Sequence, residues 1–264
     1  MPRNKQKEYL EKIQKLSLMD DEFMTKCLED SKECVELVLH ILMGRDDLKV
    51  LSAQTQYTVK NLQGRSVRLD VFAADDSGRR YNIEIQREDR GAGSKRARYH
   101  SSILDANLLL AGEGFEKLPE TYVIFITEKD VLKKGLPLYR VERCVLETNE
   151  AFGDGAHIMY VNGEYRDDTP LGRLMHDFSC TDPNDMNYQV LVEKTKFFKE
   201  DVEGVRIMSR ILEDMRNEAL EEGKREGAVN AARLMLEDGT LSLEKIASFA
   251  GLTYDEVKAI AENR

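Results

Sequence analysis

Three residues in the first third of the chain have types and spacing that could do chemistry together: Asp70, Glu84 and Gln86. An aspartate and a glutamate are hard oxygen ligands, the kind that Mg²⁺ and Mn²⁺ take in preference to softer groups. A metal held between them would turn bound water into a better nucleophile and neutralise charge on a scissile phosphate. Gln86 shares a strand face with Glu84 through the period of two. Its amide could orient the attacking water or the phosphate, but it cannot act as a cation. The backbone carbonyl of Ile85 is a candidate further ligand. Just downstream, Arg96 and His100 are four residues apart and share a helix face. With Arg98 they fit either a phosphate clamp or an ordinary exposed basic face. On spacing alone, the three central residues also fit the solvent-facing side of an antiparallel hairpin, where polar residues alternate by rule.

The elements that must position these residues are legible around them. Val67, Leu69, Val71 and Ala73 alternate with Ser66, Arg68, Asp70 and Phe72; after the turn at residues 75–78, Tyr81, Ile83 and Ile85 alternate with Asn82, Glu84 and Gln86. Two period-2 runs around a glycine-containing turn predict a β-hairpin with its apolar set on the core and the acidic residues on the opposite face. Residues 91–94 read as a loop and 95–110 as a helix with Tyr99, Ile103, Ala106 and Leu110 on one face. The apolar, β-rich run TYVIFIT at 121–127 predicts a central strand, parallel to its neighbour because a helix intervenes. Upstream, Phe23, Cys27, Cys34, Leu37, Val38, Ile41 and Leu42 predict one helix over 20–43, stopped by Gly44. Residues 48–60 lean towards strand. Further strands are predicted at 139–147 and 157–161, and helices at 171–180 and 186–199. After about residue 205 the pattern is helical and strongly charged, and Gly223 and Gly227 predict a loose helix there.

Composition bounds the function classes. The chain has 264 residues, 41% of them hydrophobic, which is enough for a large buried core and excludes global disorder. No apolar run approaches the roughly 18 residues that span a bilayer, and the polar start has no apolar signal segment, so no membrane association is expected. Cys27, Cys34, Cys144 and Cys180 form no CxxC pair and read as buried thiols of a reducing compartment, which makes the cytoplasm the expected location. The net charge of −10 disfavours non-specific attraction to nucleic acid but does not exclude a local site. From residue 79 to 98 the bases Arg79, Arg80, Arg87, Arg90, Lys95, Arg96 and Arg98 outnumber the acids Glu84, Glu88 and Asp89. His176 and Cys180, four apart, lack the further ligands that zinc needs. No GxSxG, GxGxxG or phosphate-loop signature is present.

The stretch GRSVRLDVFAADDSGRRYNIEIQRED at 64–89, followed by KRARYHSSILDANLLLAGEGFEKLPETYVIFITEKD at 95–130, resembles the recombination-promoting nuclease (Rpn-like) transposase family of the PD-(D/E)XK nuclease superfamily. The likeness continues through VNGEY and LGRLMHDFSCTDPNDMNY, so that it runs from about residue 20 to 188. It implies an α/β restriction-endonuclease-like fold, a mixed sheet flanked by helices, and metal-dependent cleavage of DNA in the service of recombination or transposition. By matching position it assigns Asp70 and Glu84 to the divalent metal and sets Gln86 where the superfamily usually has lysine. Leu69 stands where the superfamily name has proline. The resemblance implies that ExQ is this family's own form. Some members of the superfamily add an acidic residue from the first helix, for which Asp21, Glu22, Glu29 and Glu33 are candidates.

The expected organisation is a polar arm over 1–19, a nuclease-like core over 20–200, and an acidic helical extension over 201–264. The extension ends in two short amphipathic helices marked by Ile246, Phe249 and Ala250 and by Val257 and Ile260, with Thr253 and Glu256 as a capping box. Its second helix carries Asp255, Glu256 and Glu262 against Lys258, a poor charge for reading DNA, which favours packing or self-association. The expected function is a Mg²⁺- or Mn²⁺-dependent DNA endonuclease, with a homodimer favoured for cutting both strands. The rival expectation is a non-catalytic binding or regulatory protein that keeps the nuclease fold.

Overall fold

The computed structural model describes residues 3–61, 64–87 and 91–262. These fall into two compact units, Met1–Met208 and Ser209–Arg264.

The first unit opens with α1 (Arg3–Gln14), which buries Tyr9 and Ile13. Where one helix was expected over 20–43, two form: α2 (Asp21–Leu28) and α3 (Lys32–Met43). The break falls at Asp30, whose φ of 53° puts it in the left-handed region, which aspartate tolerates better than most residues. Gly44 then closes α3 with φ 65°, as its position predicts. Strands β1 (Val50–Val59), β2 (Val67–Asp75) and β3 (Arg80–Gln86) come next, then α4 (Ser94–Leu108) and β4 (Thr121–Thr127). Beyond these lie β5 (Leu138–Val141), a small hairpin of β6 (Cys144–Val145) and β7 (Glu150–Ala151), β8 (Ala156–Asn162), α5 (Pro170–Ser179), α6 (Gln189–Glu200) and α7 (Val202–Asp238).

One mixed six-stranded sheet has the order β1-β2-β3-β4-β8-β5. β1, β2 and β3 are antiparallel, β3, β4 and β8 run parallel, and β5 returns antiparallel on the far edge. All of β4 is buried, as its unbroken apolar run requires of a strand covered on both faces. The turn between β2 and β3 is built by Asp75, whose Oδ1 accepts from the N–H groups of Ser77 and Arg79 at 3.0 and 2.8 Å, with Gly78 at φ 89°. This is an aspartate turn made by its own side chain.

Register decides which side chains share a face. Ile83 pairs with Val71 and with Ile124, so the odd-numbered residues of β3 lie on one side of the sheet, covered by the mutually packed helices α2, α3, α5 and α6. Asn82, Glu84 and Gln86 lie on the other side in line with Val123, Phe125 and Thr127. That side is not left to solvent. Helix α4 packs over it, and Ala97, Ile103 and Leu104 join Val123, Phe125 and Tyr160 in one core cluster. The acidic face of the hairpin is therefore half-enclosed between sheet and helix.

The second unit packs α7 against α8 (Leu243–Ala250) and α9 (Tyr254–Glu262) around Ala232, Ile246, Ala247 and Val257. The capping box forms: Thr253 N–H donates to Glu256 Oε2 at 2.9 Å, and Glu256 N–H donates to Thr253 Oγ1 at 3.3 Å. Two expectations change here. Gly223 and Gly227 do not interrupt α7, because good helix formers flank them and each loses only about 1 kcal/mol against alanine. Phe249 is exposed rather than packed, since Ile246 and Ala247 occupy the buried stripe. Among the described residues no helix is long and apolar enough to cross a membrane.

Candidate metal and phosphate site

The paired register of β2 and β3 ends at Val71 and Ile83. One residue further, Asp70 and Glu84 would face each other. Instead of continuing the ladder, the Asp70 carboxylate accepts the N–H of Ile85 at 2.8 Å through Oδ2. In an extended strand a residue's N–H and C=O point to the same side, so the Ile85 carbonyl is also directed towards Asp70. The Asp70 carboxylate thus stands where the strands part, near enough to Glu84 for the two charges to interact.

Glu84 is completely buried. Its Oε2 accepts from Arg96 Nη2 at 2.9 Å, while Oε1 is buried with no hydrogen-bond partner and lies 3.5 Å from His100 Nδ1. Arg96 also reaches Gln86 Oε1 at 3.4 Å through Nη1 and donates from Nε to His100 Nε2 at 3.3 Å. On its other side, His100 Nδ1 lies 3.1 Å from Asn82 Nδ2 and 3.5 Å from Glu84 Oε1. Gly91, shortly before α4, lies tightly against this group. Gly91 has φ 114°, and a Cβ there would sit 2.7 Å from Arg96 Nη1 and 2.9 Å from Gln86 Oε1.

Electrostatics marks Asp70. Burial pushes its carboxyl up to about 7, and the Glu84 carboxylate adds to the rise; the Ile85 N–H and Arg96 oppose it, and Asp21 reinforces it. The two adjacent carboxylates share the guanidinium of Arg96, so a further positive charge would be stabilised there. That imbalance, the unpaired Glu84 oxygen and the all-oxygen donor set fit a hard divalent cation. Among the described residues no group of three or more His, Cys, Asp and Glu side chains has metal-holding geometry.

The expected residues are not all placed alike. Asp70, Glu84, Gln86 and Arg96 come together. Arg98 is exposed on α4 and does not contact them. His100 departs from its expected contact with substrate. It is 3% exposed, packed behind Glu84 against the Phe125 ring at 6.0 Å, so it can orient the carboxylate but not touch a phosphate. Glu29 pairs with Lys26 at 2.5 Å, whereas Asp21 stands near enough to influence Asp70. Arg90, Glu88 and Asp89 of the basic stretch lie outside the described residues. Arg79 is held by Glu120 at 2.5 Å at the other end of β3, away from this site. Cys144 is exposed, contrary to the expectation of four buried thiols, because the β6–β7 hairpin stands off the sheet. His176 contacts Asp177 and Asn187 rather than Cys180.

Sequence reasoning missed Asn82 and Gln56. Asn82 had a signal, the period of two that also sets Glu84 and Gln86 on one face. Gln56 had none. It lies in a weakly alternating strand, and nothing in its type announces a φ of 52°.

The family model for PD-(D/E)XK nuclease family transposases matches residues 29–165, more than half of the chain. The chain belongs to this family. The matched segment holds α3, β1 to β4, α4 and β8, and so contains every residue of the Asp70–Glu84–Gln86–Arg96 group. Neither the curated proteins nor the solved structures returned a match. The mixed sheet flanked by helices is the α/β architecture that the PD-(D/E)XK resemblance implies.

Proposed function

We propose that this PD-(D/E)XK family member is a Mg²⁺- or Mn²⁺-dependent DNA endonuclease acting in recombination or transposition. The observation that carries the reading is the carboxylate pair of half-buried Asp70 and buried Glu84, set where β2 and β3 part and incompletely offset by Arg96. Asp70, Glu84 and the Ile85 carbonyl would hold the metal, which when bound supplies an activated water and charge neutralisation at phosphate. Gln86 sits at the mouth of this group, where its amide can orient water or a phosphate oxygen. Arg96 puts a cation beside Gln86, at the side of the site where the superfamily's usual lysine is missing. Arg98, exposed on the same helix, contacts the backbone further out. His100 packs behind Glu84 and Asn82 contacts the His100 ring, while Arg96 is the group hydrogen-bonded to the Glu84 carboxylate. A dimer would bring two such sites to the two strands. The cytoplasm fits a chain whose four cysteines are all unpaired.

The experiment is incubation of the purified full chain with supercoiled plasmid and Mg²⁺ or Mn²⁺. Nicked and linear products are expected, and EDTA is expected to stop their formation. Metal-independent products would overturn the reading. Binding of DNA with no cleavage under either metal would favour a nuclease-fold binding protein instead, a role the neutral Gln86 would suit.

A further inference from the structure

A cavity of about 380 Å³ lies between the end of β1 and helix α4, and none of the acidic group's side chains lines it. Its size falls at the lower end of ligand pockets, roughly 300–1,000 Å³. Ile103, 5% exposed, supplies apolar lining. Ser102 and Ala106, four apart on α4, are both small and leave the space open. The Tyr99 ring packs against the core cluster and also lines the cavity. Its hydroxyl accepts from Asn61 Nδ2 at 3.1 Å and donates to the Arg65 carbonyl, so the ring is held from two sides. Asn107 Nδ2 donates to the Ile103 carbonyl at 2.8 Å. That partner fixes the orientation of the amide and leaves its Oδ1 as an acceptor. A fixed aromatic ring, an apolar wall and an amide acceptor are the lining that a nucleobase takes.

Charge points to the same ligand. No aspartate or glutamate occurs from residue 48 to 69 or from 90 to 104, in a chain of net charge −10. These two stretches converge at the cavity, which takes Lys60 and Asn61 from the first and Tyr99, Ser102 and Ile103 from the second. Asp105, the first acid beyond them, is turned to Thr121 at 3.5 Å. Lys60, Arg65 and Arg98 are exposed. Among the described residues no carboxylate pairs with them, whereas Arg79, Arg87 and Arg96 are each held by one. Local cations left free in an acidic chain are an electrostatic footprint for phosphate.

We propose that this cavity holds one unpaired nucleobase of the DNA strand, with Lys60, Arg65 and Arg98 on the flanking phosphates. The substrate class is then a junction of duplex and single strand rather than an intact duplex. The proposal rests on the reading of the chain as a DNA nuclease. Tyr99 and Ile103 lie three and seven residues beyond Arg96, roughly 5–10 Å along the helix axis. At 3.4 Å for each stacked nucleotide, the held base is about one to three nucleotides from the acidic site. A base inside a duplex shows the protein only its edge. It could enter the cavity only by being flipped out of the stack, at a cost, whereas a base in a single-stranded overhang enters without that cost.

The test measures DNA binding by the full-length protein in EDTA, where no metal-dependent cleavage occurs, by fluorescence anisotropy. The probes are a blunt duplex and the same duplex carrying a short single-stranded overhang of either polarity. The wild type is expected to bind one overhang about 5-fold or more tighter than the blunt duplex, the low end for a base stacked on an aromatic ring. Ala106→Trp fills the cavity from an exposed helix position and is expected to bring that ratio close to one. Asn107→Ala removes the acceptor while favouring the helix, and is expected to lower the ratio about 2-fold or more. Thermal melting accompanies both variants. A wild type that binds both kinds of DNA equally would overturn the proposal, as would a folded Ala106→Trp chain that keeps the wild-type ratio. If Ala106→Trp does not fold, an unchanged ratio in Asn107→Ala overturns it. Mn²⁺ added to the same DNAs tests the nuclease reading separately. A wild type that prefers the overhang but cuts nothing would uphold the cavity and overturn the cleavage reading, whereas one that cuts both DNAs but binds them equally overturns the cavity alone. A chain that binds neither DNA overturns both.

Discussion

Asp70→Asn is expected to abolish plasmid cleavage, by more than about 100-fold, while making the metal-free protein more stable at pH 8. The first half stems from the ligand role: removing a carboxylate that holds the metal should exceed the roughly 10–100-fold typical of groups one step behind a ligand. The second half stems from the raised proton affinity of Asp70. In the unfolded chain its carboxyl ionises near 3.8, in the folded chain near 7. Below the lower value Asp70 is protonated in both states and imposes no penalty. Between the two, the folded state holds a proton that the unfolded state has released, so stability falls as pH rises. Above about 7 the penalty of keeping this half-buried carboxylate beside Glu84 is complete. Asparagine is never charged and its oxygen can still accept the Ile85 N–H. Its gain should therefore be on the order of 1–3 kcal/mol at pH 8 and close to nothing at pH 4. Asp70→Ala should also lose cleavage and keep the fold. A variant that cut plasmid as fast as the wild type would show that Asp70 holds nothing the reaction needs.

The second large effect separates two places to end the chain. A protein ending at Met208 is expected to fold and to cut plasmid within about threefold of the full-length rate, whereas one ending at Phe198 is expected not to fold. The contrast rests on Lys199, Gly204 and Met208. Lys199 is 1% exposed, and its Nζ donates to the carbonyls of Gln14, Leu16 and Thr181 at 3.0, 2.5 and 2.5 Å. It ties α1 and the segment after α5 to α6. Without it, three carbonyls lose a charged donor, worth roughly 1.5–3 kcal/mol for each such hydrogen bond. Gly204 packs so closely on the Phe197 carbonyl that no side chain would fit, and Met208 is fully buried. The acidic tail can therefore be removed only beyond these contacts. Circular dichroism and light scattering on both truncations, with the nicking assay on whichever folds, decide the matter. A Met208-terminated chain that is folded but no longer binds DNA would make the tail the DNA-reading element.

What the sequence made legible was local and periodic. The hairpin, the all-buried strand at 121–127, the stop at Gly44 and the Thr253–Glu256 cap each come from a spacing or a residue type whose physics is short-range. The acidic face of the hairpin was readable for the same reason. What was hidden depended on distant packing. Alternation shows that Glu84 leaves the apolar face, but not that α4 covers it, so His100 looks available to substrate in the sequence although the helix buries it. The break at Asp30 rests on one residue's left-handed backbone, within an apolar stripe that continues across it. The role of Lys199 could not be found in a stretch where lysines at 194, 196 and 199 look alike. Only the fold distinguishes the one that points inward.

The most direct test of the metal assignment is anomalous diffraction from crystals of the full-length protein soaked in Mn²⁺ above pH 7, where Asp70 is ionised. The prediction is a single peak between Asp70 and Glu84, with a carboxylate oxygen of each at about 2.1 Å, the distance of small divalent ions to oxygen, and with the Arg96 guanidinium moved off Glu84. A peak elsewhere, or none there while Arg96 still pairs with Glu84, would contradict the assignment of this site as the metal centre.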